Sequence, residues 1–89
     1  QTLDYFVACA DAALFNEAVA VAAAIRSKGF SCDYSYKPAS LAKQLKQADA
    51  MKAAKCIIVG QELSKEGRLI VRDMLTGTQE TVLCESFLS

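Results

Sequence analysis

The side chains of this chain that could bind a ligand are mainly cationic and amide groups in its middle third. Lys43, Lys46 and Gln47 follow one another at helical spacing and would share one helix face. Arg68 and Arg72 lie four residues apart and would share one face of a strand. Such groups contact phosphates and base edges, so the pattern favours a nucleic acid as ligand.

Each of these groups also has a plainer interpretation. The lysines could form an ordinary solvated helix face, and the arginines could form cross-strand ion pairs, for example with Glu80. Tyr34 and Tyr36 alternate in a candidate strand and could stack on unpaired bases, or simply complete the edge of the core. The residue types alone leave these alternatives open.

The distribution of charge points to the same segment. Residues 37–72 contain eight basic and three acidic residues and carry +5, whereas residues 1–36 carry −2 and residues 73–89 carry −3. The whole chain is neutral, with ten basic and ten acidic residues. A local basic stripe can serve a polyanion even in a neutral chain.

Other kinds of chemistry have little support. The chain has no histidine, which excludes Ser-His, Cys-His and His–metal chemistry within it. The residues after the first strand, Ala8–Asp11, do not form a GxGxxG phosphate loop, and Asp11 has no second carboxylate beside it. We therefore expect no catalytic centre, no metal and no cofactor in this domain.

The four cysteines form no CxxC pair, and each falls in a predicted strand; they are Cys9, Cys32, Cys56 and Cys84. We interpret them as small buried side chains in a reducing compartment, with a disulfide pair or a metal site as the alternative.

Residues 1–10 lack the basic start of a secretory signal, and no apolar run approaches the roughly 20 residues of a membrane helix. We expect a cytoplasmic protein without a membrane partner.

Hydrophobic periodicity predicts the order β-α-β-α-β followed by a β-hairpin. The predicted strands are Leu3–Ala10, Phe30–Tyr36, Cys56–Val59, Arg68–Met74 and Glu80–Cys84, and the helices are Leu14–Lys28 and Leu41–Ala53, with a polar connection at Gln61–Gly67. Alternating strands and helices give parallel pairing, and the hairpin must add an antiparallel strand. Ser40 is the predicted N-cap of the second helix, and Gly77 offers the positive φ that the hairpin loop requires. The predicted fold class is α/β: a three-layer sandwich around a mixed five-stranded sheet.

Five short segments, taken in order, carry a family resemblance. They are AIRSKGF at 24–30, SLAKQLKQAD at 40–49, IIVG at 57–60, VRDM at 71–74 and TGTQE at 76–80. With these segments the chain resembles the C-terminal anticodon-binding domain of histidyl-tRNA synthetases over nearly its full length. The resemblance implies strand order 2-1-3-4-5 and one such domain at residues 1–89, excised from a larger synthetase.

The resemblance also implies a function. The domain would grip the anticodon stem-loop of a histidine tRNA, while a separate catalytic domain of a homodimeric parent charges the tRNA with the help of ATP and magnesium. The tRNA-binding residues implied are Lys43, Gln44, Lys46, Gln47, Glu62 and Arg72. Phosphate contacts would make binding salt-dependent, and base contacts would add preference for one anticodon.

Some positions depart from the family pattern. Ala39 stands where many members have arginine, Ala42 replaces the first of two lysines, and Gln47 replaces an aromatic residue. In the loop after Gly60, Glu62 lies one position earlier than the usual glutamate. These departures motivate an alternative: a regulatory or interaction module of a synthetase-like paralogue, without anticodon specificity.

Overall fold

The computed structural model describes residues 2–36 and 39–88, apart from the side chain of Ser64. The strands are β1 (Leu3–Cys9), β2 (Cys32–Tyr34), β3 (Ala53–Val59), β4 (Arg68–Asp73) and β5 (Gln79–Leu83), and the helices are α1 (Phe15–Ser27), α2 (Leu41–Ala50), α3 (Gln61–Glu66) and α4 (Cys84–Leu88). A 3₁₀ turn over Ala12–Leu14 leads into α1. The Asp11 carboxylate accepts a hydrogen bond from the Ala13 N–H and starts that turn.

The five strands form one sheet in the order β2-β1-β3-β4-β5. β1 pairs in parallel with both β2 and β3, whereas β4 pairs antiparallel with both β3 and β5. The α/β class, the mixed five-stranded sheet and its strand order are therefore confirmed. β4 is the one strand of this sheet that runs against the others.

Both faces of the sheet are packed, which makes the fold a three-layer sandwich. On one face, α1 contributes Val21 and Ile25 to a buried cluster with Ile57 and Leu69 of the sheet. On the other face, α2 contributes Ala48 against Phe6 and neighbouring small side chains. Strand segments buried on two sides are apolar, which is why most of β1 and β3 is hydrophobic; the exceptions, Asp4 and Lys55, are exposed.

Two strands, β2 and β3, differ from the sequence prediction by more than one residue at a boundary. β2 is shorter, because Phe30 lies outside it, 45% exposed, with its ring edge-on to Tyr5 at 5.4 Å. β3 begins three residues earlier, at Ala53, because Lys52 adopts a left-handed φ of 56° that ends α2 abruptly. Period-two patterning cannot locate such a turn.

The elements near the chain's polar segments also differ. Gln61–Glu66 forms a short helix, α3, which ends at Gly67 with φ 64°. Cys84 opens α4 instead of closing β5. The short apolar run at the end of β5 continues into a helix whose Phe87 and Leu88 pack on the α1 side of the sheet.

The β4–β5 hairpin depends on one carboxylate. Asp73 Oδ1 accepts hydrogen bonds from the N–H groups of Leu75 and Thr76 at 2.9 and 3.1 Å. These backbone bonds lower the pKa of the Asp73 carboxyl, because they stabilise its ionised form. Gly77 takes the positive φ that the sequence predicted, at 78°.

Among the described residues, no helix has the length and apolar character needed to cross a bilayer.

The central strand β3 should control stability. Ile57→Ala, at a side chain with no exposed surface, is expected to lower the free energy of unfolding by about 2–5 kcal/mol, because it removes buried surface and leaves a cavity. Urea denaturation followed by circular dichroism measures the change. Leu75→Ala, at a side chain 94% exposed, is the matched control and should shift stability by under about 0.5 kcal/mol. Equal effects of the two substitutions would contradict this description of the core.

Candidate nucleic-acid interface

A cavity of about 520 Å³ lies at the carboxyl ends of β1 and β2, where open α/β sheets usually bind their ligands. It opens between the start of α1 and the start of α2. Its described lining combines aromatic, small apolar and polar side chains: Cys9, Ala10, Ala12, Phe15, Ser35, Tyr36, Ala39, Ser40, Leu41 and Gln44. The sequence patterns did not reveal this cavity.

Gln44 is the buried polar side chain of this region, with 4% of its surface exposed. Its Oε1 accepts a hydrogen bond from the Cys9 N–H at 2.8 Å, and its Nε2 donates to the carbonyls of Cys9 and Ala39 at 2.8 and 2.9 Å. Both N–H donors of Nε2 and one acceptor site of Oε1 are thus bonded to the backbone, so Gln44 shapes the cavity. Its predicted contact with tRNA stays a prediction.

The outward face of α2 carries the other predicted residues of this helix. Lys43, Lys46 and Gln47 are all exposed, because Leu41, Leu45 and Ala48 turn the opposite face toward the sheet. The predicted N-cap is confirmed: Ser40 Oγ accepts a hydrogen bond from the Lys43 N–H at 3.2 Å. The first turn of α2, with Lys43, therefore begins at the cavity rim.

Glu62 lies in α3, just beyond the end of β3, and its side chain is half-buried. A Cβ placed on Gly60 would come within 2.8 Å of Glu62 Oε1 and 3.6 Å of Ala10 Cβ. The carboxylate therefore folds back over Gly60, beside the ends of β1 and β3. The lack of a side chain at Gly60 makes room for it.

Arg72 lies on the same side of the sheet as α2. It pairs in register with Cys56, which belongs to the α2-side core, and directly paired residues share a face. Its Nη1 donates to Gln79 Oε1 at 3.1 Å, across to the edge strand β5. Glu80 pairs with Val71 and so faces the other way, which leaves the cross-strand ion pair unformed.

This part of the sheet is open, because α2 covers β1 and β3 but not β4 and β5. Arg68 and Arg72 alternate there with Ile70, as the sequence predicted, and their partners across the strand pair are Leu83, Thr81 and Gln79. On this open part of the sheet, the positions of β4 and β5 thus hold two guanidinium groups and no carboxylate. The structure places the lysines and arginines on one side of the sheet, with Glu62 at its edge.

An aromatic cluster lies beside the cavity. The rings of Phe15 and Tyr34 are 6.1 Å apart, and those of Tyr34 and Tyr36 are 4.5 Å apart. The Arg26 guanidinium lies 5.8 Å from the centre of the Tyr34 ring and forms an ion pair with Asp33 at 3.7 Å. Phe15 was missed from the sequence because a phenylalanine at the start of a helix is usually a core residue.

The cysteines add no reactive group to this surface. Burial raises the pKa of the Cys32 thiol to about 11 and that of Cys56 to about 12, so both stay protonated at neutral pH. Cys9 and Cys84 are half-buried, and their pKa values are also raised by burial. Within residues 2–36 and 39–88, no three His, Cys, Asp or Glu side chains are grouped to hold a metal ion.

Comparison with known proteins agrees with this geometry. The model of the family described as "Anticodon binding domain" matches residues 4–89. The chain belongs to this family. Histidine–tRNA ligases of Anoxybacillus flavithermus and Pelotomaculum thermopropionicum are 33% and 35% identical to the chain, over 100% and 96% of its length.

A solved structure extends the match to three dimensions. The apo histidyl-tRNA synthetase of S. aureus superimposes on 98% of this chain with a TM-score of 0.88 and 26% sequence identity. The chain spans only about a fifth of these relatives: 21% and 20% of the two ligases, and 22% of the solved synthetase. The resemblance seen in the sequence is thus confirmed for the domain.

The two glutamines of α2 provide a test of the Gln44 assignment. Gln44→Met keeps the length of the side chain but leaves the Cys9 N–H and two carbonyls without their partner. We expect a loss of about 1–3 kcal/mol in the free energy of unfolding, measured by urea denaturation. Gln47→Met, on the exposed face of this anticodon-binding domain, is the control and should be nearly neutral. A neutral Gln44→Met would show that the buried amide does not hold the cavity together.

Proposed function

We propose that this domain binds the anticodon stem-loop of a histidine tRNA as part of a histidine–tRNA ligase. The observation that carries the proposal is the match to histidine–tRNA ligases along the entire chain, on a fold of the anticodon-binding family. The larger protein would be a cytoplasmic homodimer that uses ATP and magnesium in its catalytic domain. The matched relatives are ligases, so they give no support to a regulatory paralogue.

The proposed binding surface is the α2 side of the sheet and its carboxyl edge. Lys43 and Lys46 present ammonium groups on exposed helix positions, where they can approach phosphates without losing an internal partner. Phosphate contacts of this kind supply sequence-independent affinity and fix the register of the RNA. They would hold the stem-loop across α2 toward the open part of the sheet.

Base recognition would come from groups that offer directional hydrogen bonds. The Arg72 guanidinium is a planar fork whose present partner is a neutral amide that RNA could displace. Glu62 can accept hydrogen bonds from base amino groups, and Gln47 can both donate and accept. In the parent protein, this grip would help orient the acceptor end of the tRNA for the reaction.

Anticodon preference is the most direct test. The domain is expected to bind a stem-loop with the histidine anticodon GUG more tightly than one with a scrambled anticodon, by roughly 1–3 kcal/mol for each good base contact. Fluorescence anisotropy at two salt concentrations measures affinity and salt dependence together. Equal, strongly salt-dependent binding to both RNAs would reduce the function to a phosphate grip. No binding at low salt would contradict tRNA binding by this domain.

Single substitutions separate phosphate contacts from base contacts. Lys43→Ala should weaken binding to all stem-loops alike and reduce the slope of log affinity against log salt by about 1. Arg72→Ala should reduce the preference for GUG by roughly 1–3 kcal/mol as well. Lys28→Ala is the matched control, because Lys28 follows α1 and lies beside Ile25 and Phe87, on the face of the sheet opposite α2.

The control decides the interpretation. Lys28→Ala should lose little affinity, because its charge lies on the side of the sheet opposite the proposed surface. If Lys43→Ala and Arg72→Ala bind RNA with the same affinity as the control variant, the assigned surface is wrong, even if the domain binds tRNA.

A further inference from the structure

We propose that the cavity at the carboxyl ends of β1 and β2 receives one unpaired base of the RNA loop, stacked against the rings of Phe15 and Tyr36. We name it the stacking pocket and define it by Phe15, Ser35, Tyr36, Ser40, Leu41 and Gln44. The inference rests on the proposed function. It adds an aromatic contact to the charged residues assigned above.

The size and position of the stacking pocket suit a flat ligand. Its volume of about 520 Å³ falls within the range of small-molecule sites, about 300–1,000 Å³. It lies at the edge of the sheet where α/β folds bind ligands, and it is open to solvent between two helix starts. The loop of an RNA hairpin presents unpaired bases that can be turned outward into such a site.

The aromatic walls give the pocket its chemical preference. Phe15 is 37% exposed and Tyr36 is 64% exposed, so both have free ring surface. Tyr34 lies in ring contact with both and braces them from the protein side. The Arg26 guanidinium lies over Tyr34, and its hydrogen bond to Tyr36 raises the pKa of Arg26. A braced ring loses little conformational entropy on binding, which favours stacking.

The polar groups of the pocket are mostly occupied. The Gln44 amide makes three backbone hydrogen bonds, and Ser40 Oγ caps α2. Few free hydrogen-bonding groups therefore remain to read the edge of a base. The pocket should accept any base by stacking, with little dependence on its identity.

The rim of the pocket supplies the charge that selects RNA over an uncharged ligand. Lys43 lies in the first turn of α2, and its N–H is bonded to Ser40 at the pocket rim. An exposed ammonium at this place can neutralise the phosphate of the nucleotide whose base is bound. One turn of helix thus joins the proposed phosphate contact to the stacking pocket.

The experiment is a scan of the stem-loop in which each loop nucleotide in turn is made abasic. Affinity is measured for the wild-type domain, for Tyr36→Ala and for Phe15→Leu. At one loop position, removal of the base should weaken wild-type binding by roughly 5- to 150-fold, the range for one stacked base. Exchange of one base for another at that position should change the affinity much less.

Coupling identifies the pocket. In Tyr36→Ala, removal of the same base should lower the RNA affinity little further, because the two changes remove one interaction. Tyr36→Phe should bind RNA as the wild-type domain does, because it keeps the ring. Phe30→Leu is the matched control: Phe30 is exposed to a similar degree but contacts Tyr5, away from the pocket. Circular dichroism confirms that each variant is folded, and Phe15→Leu provides an independent test of the same pocket.

Failure of this inference can be told from failure of the proposed function. If the wild-type domain binds the stem-loop but the abasic and aromatic substitutions are additive at every position, the stacking pocket is contradicted while tRNA binding stands. The stacking pocket is also contradicted if Phe30→Leu loses as much RNA affinity as Phe15→Leu and Tyr36→Ala do. If the wild-type domain binds no stem-loop, both proposals fail.

Discussion

The arrangement of the ligand edge depends on the burial of a single amide. A buried carboxamide must satisfy its donors and its acceptor, and Gln44 does so with the backbone of Cys9 and Ala39. Its bonds join the end of β1, the approach to α2 and α2 itself. Because those three segments form one side of the cavity wall, the position of each depends on the same side chain. A surface that is fixed before binding loses less entropy when it binds.

The two-sided burial of the sheet limits where function can lie. The buried parts of β1 and β3 are covered by helices on both faces and are apolar, whereas Asp4 and Lys55 of these strands are exposed. The groups proposed to bind RNA therefore lie on the outer face of α2, on the open part of β4 and at the carboxyl edge. These regions adjoin one another around α2, so one RNA loop could reach all of them. The fold thus brings these binding groups to one side of the sheet.

Much of the fold could be predicted from the sequence, because its signals are local. The apolar run of β1, the cap at Ser40 and the glycine at Gly77 each reflect one physical requirement, and each was located correctly. The end of α2 was misplaced because it depends on a left-handed φ at Lys52, which the residue type does not favour. Short elements such as α3 depend on tertiary packing more than on pattern.

The candidate site was less predictable, because its roles are set by burial. Gln44 and Gln47 are chemically identical and three residues apart, yet one is buried and fully bonded while the other is exposed. Helical periodicity could have placed Gln44 beside the core stripe, but its bonds to Cys9 join residues 35 positions apart. The contribution of Phe15 likewise appears only when the strand ends and helix starts come together. Residue type indicates what a side chain can bind, whereas packing decides whether it is free to do so.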